Sequence, residues 1–158
     1  MKLHDENFMR EALLEAKKAF AIGEVPVGAV LVLDEKIFAH AHNLVEQNCD
    51  ASAHAELLCL QEGAKVLGNW RLQNTTLYCT LEPCAMCAGA MALFRIKRLV
   101  YGAPDLRHGA NGSVFDVLSR SHPIHQVEVE SGVCEGEAKE LMQTFFRERR
   151  KESVGKTF

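Results

Sequence analysis

Apolar residues return at helical spacing near the start of the chain. Phe8, Ala12, Leu13, Ala16, Ala19 and Phe20 fall on one face, and the spacing predicts an amphipathic helix over 5–22. Residues 27–33 are a nearly unbroken β-branched and apolar run, as in a strand covered on both faces. Asp34 and Glu35 make a turn, and 36–42 reads as the return strand of a hairpin. A second helical run spans 53–63, with Ser52 placed to cap it and Gly63 to close it. Residues 76–79 form a short strand. Pro83 then opens a helix reaching about residue 94, since a missing N–H is harmless in a first turn. A strand over 98–102, a glycine-containing loop over 103–113, a short helix over 114–118, a fifth strand over 127–130 and a final helix over 136–151 complete the pattern. After the hairpin, strands and helices alternate. The expected fold is α/β: a mixed five-stranded sheet with helices on both faces, and chemistry at the carboxyl ends of strands where helices begin.

The chain has 158 residues and no repeat, low-complexity tract or Pro/Gly-rich linker, so one domain over 1–158 is expected. Apolar residues make up 47% and charged ones 25%, which excludes an intrinsically disordered chain, a collagen or a disulfide miniprotein. No apolar run approaches the roughly 20 residues of a membrane helix. Acids stand at Asp5 and Glu6, where a signal peptide carries its apolar core. A soluble, cytoplasmic protein without a membrane partner is expected. The net charge of −3 argues against nonspecific coating of nucleic acid but leaves room for a local basic face. Two segments are basic. Residues 95–108 hold Arg95, Lys97, Arg98 and Arg107, and the last helix holds Arg147, Arg149, Arg150 and Lys151. Each strip is either a solvated helix end or a surface for phosphates.

Of six cysteines, Cys59 and Cys79 lie in apolar segments and read as small buried hydrophobes, while Cys49 and Cys134 carry no readable role. Cys84 and Cys87 are spaced i, i+3, so both sulfurs share one face of the helix that Pro83 opens. In a first turn, the helix dipole and free N–H groups favour thiolate. His54 and Glu56 open another helix. Two thiolates and one imidazole make three zinc ligands. A structural zinc site has four, so three leave a position for water, and Glu56 would be the proton carrier beside it. A lone Cys-x-x-Cys could be a redox pair, but that reading leaves His54 and Glu56 without a purpose. His40 and His42 share a strand face; they would form a second metal pair or, more simply, flank a turn or pocket.

With His54-Ala-Glu56 and Pro83-Cys-Ala-Met-Cys87 side by side, the chain resembles the zinc-dependent nucleobase deaminases and, among them, the bacterial tRNA-specific adenosine deaminases. The matches extend over Glu24-Val-Pro-Val-Gly-Ala-Val30, His42-Asn43, Thr80-Leu-Glu-Pro-Cys-Ala-Met-Cys-Ala-Gly-Ala90, Tyr101-Gly-Ala, Asp105, Gly109-Ala-Asn-Gly-Ser113 and Phe145-Phe-Arg-Glu-Arg-Arg150. Ile124 before His125 is a departure, since that family often has asparagine there. The resemblance implies a cytidine-deaminase-like α/β/α sandwich, a homodimer, and one zinc per chain held by His54, Cys84 and Cys87. It implies conversion of adenosine to inosine at the wobble position of an arginine tRNA anticodon. Glu56 would take a proton from the attacking water and deliver it to ring N1. Asn43 and Asp105 would line the pocket. Phe145, Arg147, Arg149 and Arg150 would lie along the anticodon loop. Of the adjacent Phe145 and Phe146, about 100° apart on a helix, one would pack inward.

Two rivals remain. A free-base or nucleotide deaminase, such as guanine deaminase, would share the metal site without needing a basic aromatic tail. A binding module with structural zinc would have no use for Glu56.

Overall fold

The computed structural model describes residues 2–118 and 121–154. It is a three-layer α/β/α sandwich. In chain order come α1 (Lys2–Ala21), the hairpin strands β1 (Gly28–Leu33) and β2 (Lys36–His42), α2 (Ala55–Leu67), β3 (Thr76–Leu81), α3 (Ala85–Leu93), β4 (Arg98–Ala103), β5 (Glu128–Ser131) and α4 (Glu135–Val154). The strands lie in the order β2-β1-β3-β4-β5. β1 is antiparallel to both neighbours; β3, β4 and β5 run parallel.

Strand alternation sends side chains to two cores. Ala29 and Leu31 of β1, Leu77 and Cys79 of β3, and Leu99 and Tyr101 of β4 meet α2 and α3 through Cys59, Leu60, Ala88 and Met91. Val30, Val32, Tyr78 and Val100 point the other way, against Met9, Ala12 and Leu13 of α1 and Ala138 of α4. Cys59 and Cys79 are fully buried, as their apolar settings predict.

Three expectations are corrected. Residues 114–118 form no helix; Gly109 accepts backbone bonds from Val114 and Phe115, and Val117 donates to Ala110, which folds the segment into turns. Gly63 does not end α2. The helix continues to Leu67 and stops at Gly68, whose φ of 63° is the left-handed cap. Gly63 is buried mid-helix because a Cβ there would come 2.4 Å from Leu31 Cδ2, so its smallness sets how closely α2 lies on the sheet. Pro83 lies before α3 rather than within it, since the helix begins at Ala85 with Cys84 as its N-cap.

A buried polar contact ties the start of α1 to the sheet. Asp5 accepts two bonds of 2.8 Å from Arg98 and one of 2.8 Å from the Tyr78 hydroxyl. The Arg98 guanidinium holds the Asp5 carboxyl below its ordinary value against the opposing effect of burial. A depressed folded value makes the ionised form favour folding. Asp5→Asn is therefore expected to lower stability at pH 7 by about 1.5–3 kcal/mol, the worth of hydrogen bonds to a charged group. The gap from the unmutated protein should narrow as pH falls below about 4 and close once the folded value is passed. Urea midpoints across pH 2–7 check this; a gap independent of pH would show that the charge is not what stabilises.

Candidate metal centre and active site

Two of the three candidate metal ligands occupy cap positions. His54 is the N-cap of α2 and Cys84 the N-cap of α3, both with extended backbone and neither making a side-chain cap bond. A serine or aspartate at either position would turn back on its own helix. Here the side chains are free to face each other. α2 follows β2 and α3 follows β3, and both helix starts meet beside the sheet. Cys87, third residue of α3, turns its sulfur to the same point from full burial. His54 Nδ1 lies 3.5 Å from Cys84 Sγ and 3.6 Å from Cys87 Sγ. Among the described residues these three are the one His/Cys/carboxylate group able to hold a metal, with donor atoms all within 4.8 Å. The donor set fits zinc. Bonds of about 2.0 and 2.3 Å at a tetrahedral angle would set nitrogen and sulfur about 3.5 Å apart.

The charges on this cluster follow from crowding. Cys84 is held well below the ordinary thiol range, first by a hydrogen bond from Cys87 and then by His54. Cys87 is pushed far up by the same bond, by burial and by nearby Glu56. His54 is raised by its contact with Cys84. Three donors competing over so few protons form a site where a divalent cation would release the protons and relieve the crowding. Glu56, the second residue of α2, is 4% exposed and in hydrogen-bonding contact with Cys87. Burial pushes its carboxyl up to about 6, so near neutral pH it can both take and give a proton.

Two loops frame the cluster. Asn43 is buried; its amide donates to the Val25 carbonyl at 3.3 Å and its oxygen accepts from Val45 N–H at 3.2 Å. Asp105 turns its carboxylate onto its own loop, accepting from the Arg107 and His108 N–H groups at 3.0 and 3.2 Å. Both shape the loops on which they stand.

A protein-family model for the cytidine and deoxycytidylate deaminase zinc-binding region matches residues 2–103. The chain belongs to the cytidine and deoxycytidylate deaminase family. It is 51% identical over 147 residues to a tRNA-specific adenosine deaminase of Bacillus subtilis, covering 93% of this chain and 91% of that protein. A solved structure from a study of A-to-I editing by tRNA:A34 deaminases superposes with a TM-score of 0.82 at 43% identity, over 85% of this chain and 98% of that one. A guanine deaminase structure from Bacillus subtilis reaches 0.61 at 36% identity, over 70% of each chain.

On this deaminase the basic strips separate. The first disperses. Arg98 is paired with Asp5, and Arg95 lies 5.5 Å from the Trp70 ring and donates to the Ala92 and Leu93 carbonyls at the end of α3. Arg107 alone joins the second strip, in a groove of about 710 Å³ that also involves Met142, Phe146, Arg147, Arg149 and Arg150. Phe145 is buried against Phe20 with ring centroids 5.7 Å apart, and Phe146 is the aromatic that reaches the groove. Arg149 donates to the Gly23 carbonyl and lies over the Phe145 ring at 5.2 Å, so it docks α4 onto the end of α1 while edging the groove.

His40 and His42 do not form a metal pair. Each places Nδ1 2.9 Å from Glu15, whose carboxylate also holds Lys18 at 2.7 Å; an ion-pair cluster occupies that face. Residues that sequence reasoning gave no role are Glu24 and Glu82. Both are buried carboxylates that accept backbone N–H groups from the two framing loops. Each lies inside a stretch that carries the family resemblance, but acids placed only to accept backbone bonds leave no periodic mark.

Proposed function

We propose that this chain deaminates adenosine to inosine at the wobble position of a tRNA anticodon, that of an arginine tRNA, with one zinc held by His54, Cys84 and Cys87. The groove of arginines around Phe146 carries the reading, because it offers cations and an aromatic to an unpaired loop and would serve no purpose for a free base. Identity of 51% to a tRNA-specific adenosine deaminase supports it. Zinc in such a site acts as a Lewis acid that makes water nucleophilic near neutral pH. Glu56 would accept a proton from the attacking water and carry it to ring N1. The same carboxylate would then take the proton of the new C6 hydroxyl and pass it to the amine, so the C6–N bond breaks, the C6 carbonyl forms and ammonia leaves.

A homodimer belongs to the same proposal. Val66 and Leu67 of α2, Trp70 after it, and Met86 and Leu93 of α3 expose apolar surface on the helical layer, which a second copy would cover. Among the described residues no helix is long and apolar enough to cross a membrane. We place the protein in the cytoplasm with its tRNA.

The test uses an anticodon stem-loop with adenosine at the wobble position, beside free guanine, adenosine and cytidine. Deaminated stem-loop is expected. Arg147→Glu with Arg150→Glu should weaken binding and flatten its salt dependence, by about 0.7–0.9 in log–log slope for each phosphate no longer met, with zinc content unchanged. Product from free guanine and none from the stem-loop would replace this reading with the free-base one.

A further inference from the structure

We infer that Glu82 is a positioning residue: its buried carboxylate holds the 105–113 loop in register with the turn that supplies Cys84. The inference rests on the tRNA reading only for what the loop then does. Glu82 stands just past β3, is 2% exposed, and donates its own N–H to the Ala103 carbonyl at 2.8 Å. Oε1 accepts from Asp105 N–H at 3.1 Å and from the Ser113 hydroxyl at 2.5 Å. Oε2 accepts from the N–H groups of Asn111 at 2.9 Å and Ser113 at 3.3 Å. Among the described residues no salt bridge reaches it. A carboxylate taken out of water without a counter-ion is stable only if its lone pairs are met, and here one loop meets them all.

The loop closes around this group. A Cβ on Gly109 would come 2.3 Å from Glu82 Cδ, so the chain can pass only as glycine. On its other side the same stretch is joined to the metal turn. Ala110 N–H donates to the Pro83 carbonyl at 2.8 Å, and Gly109 forms a β-bridge with Cys84. One side chain thus fixes three points of the loop that carries Arg107 to the basic groove, from a position two residues before a metal donor. Three of the four partners are backbone N–H groups, which can only donate, and both oxygens meet at least one, so the site calls for a group that only accepts. An amide would turn its NH2 against at least one of them.

The experiment compares the unmutated full-length, zinc-loaded protein with Glu82→Gln and Ser113→Ala. Zinc content, backbone hydrogen exchange, and kcat and KM on the adenosine stem-loop are measured. Glu82→Gln should raise exchange about tenfold or more at the amides of Asp105, Asn111 and Ser113, with α3 still protected and zinc retained. KM for the stem-loop should rise about tenfold, with kcat falling less. Ser113→Ala, at an exposed position, should move Asp105 and Asn111 in the same direction by a smaller factor, although their own bonding groups are intact. Unchanged loop exchange in Glu82→Gln overturns the inference. So does a kcat loss that merely follows lost zinc or lost fold with KM unmoved. If Glu82→Gln does not fold, unchanged exchange at Asp105 and Asn111 in Ser113→Ala overturns it. If the unmutated protein ignores the stem-loop, the tRNA reading fails, while the exchange data still decide the role of Glu82.

Discussion

Replacing Glu56 with alanine is expected to leave a folded, zinc-loaded protein whose turnover falls by about 10²–10⁴-fold, the range a positioned proton-transfer group supplies. The separation of chemistry from structure follows from the geometry. Glu56 projects from the second position of α2, after the N-cap His54 has faced the two sulfurs, and it supplies none of the three clustered donor atoms. Metal content by elemental analysis and single-turnover rates on the adenosine stem-loop check the result together. A variant that keeps near-normal turnover would remove Glu56 from the mechanism. A variant that loses zinc would make it a donor in its own right. Because the same carboxyl is asked to act at two proton transfers, the loss should stand toward the upper end of the range.

Cys87→Ala is expected to abolish stoichiometric zinc binding and to lower thermal stability. Cys87 is wholly buried between α3 and the sheet, and without it only His54 and Cys84 offer donors. Two donors hold zinc poorly, and whatever metal binding contributes to folding disappears with it. A ligand present at about 1,000 times its dissociation constant adds about 4 kcal/mol to stability. Treating the unmutated protein with a chelator should therefore shift its melting point down toward that of the variant, and chelator should do almost nothing to the variant itself. Full zinc occupancy in Cys87→Ala would show that the metal is held elsewhere.

The His/Cys/Cys cluster is legible from spacing because each part obeys a local rule. Cys84 and Cys87 are spaced i, i+3 at the start of one helix, and His54 and Glu56 stand at the start of another. Five strands and the four longer helices are legible for a similar reason, since period and turn residues are local. What is not legible is nonlocal. Gly63 looks like a stop signal; only the approach of Leu31 from another element shows why it sits mid-helix. The apparent helix over 114–118 is overruled by bonds back to Gly109 and Ala110. Phe145 and Phe146 are distinguishable as an inward and an outward ring, but which is which depends on Phe20. The basic strip of 95–108 dissolves because Asp5 claims Arg98. Charge counted along a chain takes no account of partners across it.

The order of strands also governs how copies of this chain can meet. A sheet ends in two rows of unpaired backbone groups, and a long flat edge invites a neighbouring chain to add itself as another strand. Neither border of this sheet offers such a template. On one side β5 is four residues long and exposes Glu128 and Glu130, whose like charges would confront their counterparts in any edge-to-edge pairing. On the other, β2 shifts register against β1 between Leu31 and Val32, leaving Phe38 unmatched and the border kinked. Neither rim therefore accepts a further strand readily, and growth of copies into a fibre through the hydrogen-bonding edges is disfavoured.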